Sequence, residues 1–188
     1  MKNRNWAVYL LQEIVIVVLG VLIAVSINNY KENRDETQYV EKMLFAIEQE
    51  VRSSKMDVDS VLETHVRLMD SLEHNLDNNQ ETLVEMITRF GGIKVPLIQN
   101  VGLRFYISNK AELVDFELIS LLLEIEFISN LLDQKMNKFY DFAYQHLNDT
   151  DEEVKISFAY MLSDAMETER SLLKKYTQFL DSQEGPLQ

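Results

Sequence analysis

From Ala7 to Ile27 nearly every side chain is apolar. At 1.5 Å of rise per residue, about 20 such residues match the ~30 Å hydrocarbon core of a bilayer. Trp6 and Tyr9 stand at one end and Tyr30 at the other, where interfacial aromatics anchor a span. The stretch predicts a retained transmembrane helix. Two other readings use the same residues. As a signal peptide, Lys2 and Arg4 form the basic region and Ala24-Val25-Ser26 a small-x-small cleavage site. Against this, the run is long for a signal sequence and contains Glu13. In a soluble protein the same helix would be buried in a core.

Glu13 is the one carboxylate in the run. An acid at the bilayer centre costs roughly 2.5–3.5 kcal/mol on insertion scales. Glu13 lies only about 10 Å past Trp6 along a helix, so its cost is lower. Glu13, Gly20, Ala24 and Asn28 follow one another at helical spacing and share one face. Gly20 and Ala24 form a small-xxx-small pair that lets a second backbone approach. This stripe predicts a contact face toward another membrane helix, from a second copy or from a partner. Two alternatives are a snorkelling or protonated Glu13 of little consequence, and a proton or ion pathway.

Charge is divided unevenly. Residues 1–34 carry Lys2, Arg4, Lys31 and Arg34 against Glu13 and Glu32, a balance of +2. The rest of the chain has 14 basic and 29 acidic residues, a balance of −15. So acidic a domain repels nucleic acid and anionic headgroups, and no nucleic-acid partner is expected. With no cysteine there is neither a disulfide framework nor a thiolate metal site, which also suits an oxidising compartment. Basic residues flank the span almost equally on its two sides. A short basic tail is readily kept in the cytoplasm, which places the C-terminal domain outside it.

The stretch "LQEIVIVVLGVLIAVSINNYKENRDE" resembles the opening of a family of small single-pass Bacteroidota membrane proteins with a domain of unknown function. That family starts with a basic tail, Gly-Glu-Ile, an aliphatic run with Gly-Ile-Leu-Ile-Ala, then Ile-Asn-Asn-Trp and a charged helix. This chain keeps Glu13-Ile14, Gly20-Val21-Leu22-Ile23-Ala24 and Ile27-Asn28-Asn29. It departs at Gln12, at Tyr30 and in its shorter tail. Residues 108–125, "SNKAELVDFELISLLLEI", are similar to the family's downstream helices more loosely. The resemblance implies a protein of the bacterial inner membrane with a helical domain in the periplasm, and it brings no activity with it.

Only 5 Gly and 2 Pro interrupt the chain, too few for a many-stranded β fold. From Val40 the positions Leu44, Ile47, Val51, Ser54, Val58, Val61, His65, Leu68 and Leu72 step by four and three, a heptad pattern. A break is expected at 77–80. A short helix then ends at Gly91-Gly92, a loop or extended piece covers 93–96, and another short helix covers 97–107. Asn109 or Asp115 caps a long helix to about Leu147. Thr150 and Glu153 have capping-box spacing for a last helix to about Ser182, stopped by Gly185-Pro186. The expected fold class is all-α: a tail and transmembrane helix over 1–30, then an antiparallel helical bundle over 31–188.

Chemistry is sparse. His65 lies on the heptad stripe and reads as a satisfied interior imidazole; His74 is nine residues on, and His146 sits near a helix end. Asp57, Asp59, Glu63, Asp70, Glu73 and Asp77 read as a solvated acidic face, without Ca²⁺-loop spacing. The aromatics of 139–144 and 174–180 read as core, with a ligand pocket as the alternative. No catalytic, cofactor-binding or metal-ligating residue is assigned. The expected function is that of a membrane-anchored interaction protein that self-assembles or docks a membrane or periplasmic partner. The alternatives are a periplasmic sensor acting through a partner, and an oligomeric ion- or proton-coupled subunit built on Glu13.

Overall fold

The computed structural model describes residues 3–76, 80–110 and 115–184. Among them the chain is all-helical, with five helices and no strand. These are α1 (Asn3–His74), α2 (Leu83–Arg89), α3 (Val101–Lys110), α4 (Phe116–Gln145) and α5 (Glu152–Glu184). Between Gly20 and Gly91 there is neither glycine nor proline, so nothing in the backbone chemistry interrupts α1 before its polar end. There the side chains of His74 and Asn75 fold back and donate to the carbonyls of Asp70 and Ser71 at the end of the helix. The chain divides into two compact units, residues 1–43 and 44–188. The sequence boundary at 30/31 marks the predicted edge of the bilayer; the unit boundary marks where α1 begins to join the packed helices.

The first unit belongs to α1. Its apolar segment makes α1 the one helix, among the described residues, that is long and apolar enough to cross a membrane, and none of that segment is buried.

In the second unit, α1 buries Ile47, Val51, Val58, Val61, Leu68 and Leu72; Leu44, also an apolar member of the predicted heptad, is half-buried. Antiparallel pairing of α4 with α5 follows from their contacts. Glu124 meets Lys175, Lys135 Nζ lies 2.7 Å from Asp164 Oδ1, and the rings of Phe139 and Phe158 are 4.6 Å apart. The buried aromatic side chains of this pair, Phe139, Phe158, Tyr176 and Phe179, fill the core, so the aromatic clusters at 139–144 and 174–180 serve packing at those positions. Along α3, Arg104 reaches Asn130 at 2.9 Å and Glu126 at 3.3 Å on α4.

Helix ends follow local chemistry. Asp115 caps α4, its carboxylate accepting from the Glu117 N–H. The α5 helix starts at Glu152, with Glu152 and Glu153 in its first turn, and runs to Glu184; Gly185-Pro186 lie outside the described residues. A capping box unforeseen from the sequence starts α2. Thr82 Oγ1 accepts from Glu85 N–H, and Glu85 accepts from Thr82 N–H at 2.9 Å. The next orphan amides, of Leu83 and Val84, donate to the carbonyls of Asp149 and Leu147 in the α4–α5 turn. At its other end α2 closes on Gly91 and Gly92, both at positive φ, with Gly92 N–H returning to Ile87 C=O at 3.1 Å.

Candidate functional site: a strapped core and an uncovered helix

Residues 91–100 carry no regular structure and cross the helices as a strap. An extended segment has no internal hydrogen bonds, so its polar backbone must find partners elsewhere. The partners come largely from α1. His65 Nε2 donates to Lys94 C=O at 3.0 Å; Asp57 accepts from Leu97 N–H; Ser54 Oγ accepts from Gln99 N–H at 2.9 Å. Just past the strap, both oxygens of Glu50 accept from Gly102 N–H, at 2.9 and 3.0 Å. Receptors at 65, 57, 54 and 50 for groups at 94, 97, 99 and 102 make the strap run antiparallel to α1. From α4, Tyr140 donates its hydroxyl to Ile93 C=O at 2.8 Å. Burial, with Tyr144 beside it, pushes the Tyr140 phenol upward, which keeps it a donor.

The clamp explains two polar residues on an apolar stripe. Ser54 and His65 are fully buried heptad members, and each is needed because the strap presents backbone to α1 there. It also explains Gly102: a Cβ there would stand 3.3 Å from the Glu50 carboxylate. The predicted 97–107 helix starts later, at Val101, because the amides of Leu97 and Gln99 are bound by α1 side chains. Asn109 lies inside α3, and Glu112 lies outside the described residues.

Beneath the strap the Tyr176 hydroxyl is buried and makes no hydrogen bond of ordinary geometry. Its neighbours Ser129 and Ser54 each hold another partner, one donating to Ile125 C=O and the other accepting from Gln99. Burial raises the Tyr176 phenol's pKa and outweighs the pull of the two serines. Between strap and α4 lies an open groove of about 370 Å³, lined by Pro96, Ile98, Arg104, Ser129 and Asp133 among others.

His65 joins strap to core. Its other nitrogen, Nδ1, lies 3.0 Å from Glu169 Oε1, and both side chains are fully buried. His74 and His146 are engaged locally: His146 caps α4, with Nδ1 2.6 Å from Asp149 Oδ2 and its ring 4.5 Å from that of Phe142. Among the acidic residues, Asp57 turns to the strap while Asp59, Glu63, Asp70 and Glu73 are exposed; Asp77 lies outside the described residues. Among the described residues, no three His, Asp or Glu side chains converge as metal ligands would.

The predicted membrane face is wholly exposed. Glu13, Gly20, Ala24 and Asn28 are all exposed, as are Trp6, Tyr9 and Tyr30. A Cβ on Gly20 would meet nothing within 4 Å, so packing within the chain does not require glycine there. Comparison with family models, with curated proteins and with solved structures gives no match.

Proposed function

We propose that this chain is a single-pass protein of the bacterial inner membrane whose acidic domain, folded as an antiparallel helical bundle in the periplasm, works by contact: it assembles with a second copy or docks a membrane or periplasmic partner. The observation that carries the reading is the uncovered apolar helix. Eleven large aliphatic side chains, from Ile14 to Ile27, are 46% exposed or more. Each is worth roughly 1.5–3 kcal/mol when taken out of water, which supports lipid as the surroundings of this segment. The N-terminal resemblance described above points the same way. Gly20 supports assembly, because a glycine with open space around it has room for a neighbouring backbone.

The test exploits the absence of cysteine from the sequence. Single cysteines at Gly20, Ala24 and, on the opposite face, Leu22 are introduced into the full chain in membranes. The protein is expected in the carbonate-resistant fraction, with disulfide cross-linking at Gly20 and Ala24 and not at Leu22 if a second copy is the partner. A cysteine at exposed Tyr160 is expected to react with an impermeant thiol reagent from the periplasmic side. Recovery of the chain in the soluble fraction would overturn the anchor. A cross-linking pattern indifferent to face, with no other membrane protein captured at the same positions, would overturn the contact role.

A second reading, ligand binding with output through a partner, is favoured by the groove of about 370 Å³ under the strap, with Arg104 and Asp133 in its walls.

A further inference from the structure

The His65–Glu169 pair has a fixed proton inventory. A carbonyl oxygen only accepts, so the contact between His65 Nε2 and Lys94 C=O requires hydrogen on Nε2. The contact between Nδ1 and the Glu169 carboxyl, at 3.0 and 3.2 Å from its two oxygens, requires another hydrogen, on the ring or on the acid. In either arrangement the buried pair is neutral as a whole, which is what a site without water demands.

Changing the inventory has unequal consequences. A proton added to the ion-paired form goes to the carboxyl, and the ring keeps both N–H groups and its hold on the strap. With one proton fewer, a single ring hydrogen remains for two acceptors. The carboxylate is the stronger acceptor, so the hydrogen stays on Nδ1. Nε2 then turns a lone pair toward the Lys94 carbonyl, and the bond becomes a repulsion.

We propose that His65 and Glu169 form a proton-operated latch, which holds the strap at Lys94 while the pair keeps its proton and releases it when that proton leaves. The surrounding charges do not substitute for the pair. On α4, Lys135 is bound to Asp164 and Thr168, and the Tyr140 hydroxyl to Ile93. On α2, Arg89 pairs with Glu81. Lys94 on the strap, Arg67 and Asp70 on α1 and Arg170 on α5 are exposed. The other strap anchors, Asp57 and Ser54, need no proton from His65. Release therefore begins at Lys94 and moves one wall of the groove beside α4.

The test uses full-length protein in nanodiscs. Glu169→Gln keeps the shape of the side chain, and its amide N–H can donate to Nδ1 of a neutral ring that still donates to Lys94. Amide exchange of the strap is compared between wild type and this variant from about pH 5 to about pH 9, so that the intrinsic pH dependence of exchange cancels. Strap exchange in wild type relative to the variant is expected to rise by about tenfold or more across the range. In parallel, ¹⁵N spectra of the His65 ring in wild type should show hydrogen leaving Nε2 while Nδ1 keeps it, at the pH where the strap loosens. A pH-independent exchange ratio, or a strap that loosens while Nε2 keeps its hydrogen, would overturn the latch. If Glu169→Gln does not fold, the wild-type spectra decide alone: Nε2 still protonated throughout the range ends the proposal.

Discussion

Two stretches of the same helix, residues 14–27 and 47–72 of α1, are both apolar, and they are apolar in different ways. In the first, large aliphatic side chains point in every direction and all are exposed. In the second, they recur every three or four residues and only that stripe is buried. Their angular distribution, more than their number, separates the two: apolar around the whole circumference, as a membrane span requires, in one case, and along one face against a packed core in the other. Polar residues in the two stretches differ in the same sense. Ser54 and His65 interrupt the buried stripe because a strap of backbone crosses it. Glu13 and Asn28 interrupt an exposed apolar surface.

If the two stretches answer to different solvents, a pair of substitutions separates them. Phe139→Ala removes a fully buried ring that packs on Phe158. It is expected to destabilise the domain by about 3–5 kcal/mol and to leave carbonate-resistant membrane retention unchanged. Leu22→Arg is expected to cost about 2.5–3.5 kcal/mol of insertion, depleting the membrane fraction, while helix melting of residues 44–188 followed by circular dichroism stays where it was. A variant that moves both readouts breaks the contrast.

A smaller effect sharpens the second stretch. Ser54→Ala leaves the Gln99 amide without its acceptor and the Tyr176 hydroxyl with one polar neighbour fewer. The expected loss is about 1–3 kcal/mol, with faster exchange at Gln99 than at any helix amide of α1. An equally stable variant with an unchanged Gln99 would mean that Ser54 fills space and does not anchor the strap.

How much of this was legible in the sequence depends on the range over which each feature is determined. The apolar run, the heptad expected from Val40 and buried from Ile47 to Leu72, the Asp115 cap and the stop at Gly91-Gly92 are written in neighbouring residues. The strap was not legible. Its partners, Asp57 for Leu97 and Glu50 for Gly102, lie 40 and 52 residues away, and only the tertiary fold brings them together. The same holds for His65, whose interior position the heptad implied while Glu169, 104 residues on, left no trace in its spacing. A short helix was expected over 97–107 because its composition permits one. The structure begins it at Val101, where binding of the Leu97 and Gln99 amides by α1 ends. A signal was available for the α2 cap: Thr82 and Glu85 have the same spacing as Thr150 and Glu153.

That cap supplies the smallest prediction and the one with a pH signature. Glu85 is held below the usual carboxylate range first by the Thr82 N–H and then by the Thr82 hydroxyl, with burial opposing slightly. A carboxylate whose folded pKa is depressed adds stability above its unfolded value, about 4.3 for glutamate, and that stability drains away as pH falls through the folded value. Thr82→Ala removes the hydroxyl and keeps the amide, so it is expected to cost about 1 kcal/mol at neutral pH and to weaken the acid dependence without abolishing it. Glu85→Gln, which does not titrate, is expected to remove this component entirely. Melting curves of the three proteins at neutral pH and at about pH 3 separate the cases. Parallel acid losses in all three would show that the box, although formed, carries no charge-dependent stability, and that the α2 start rests on the amides of Leu83 and Val84 bound to the α4–α5 turn.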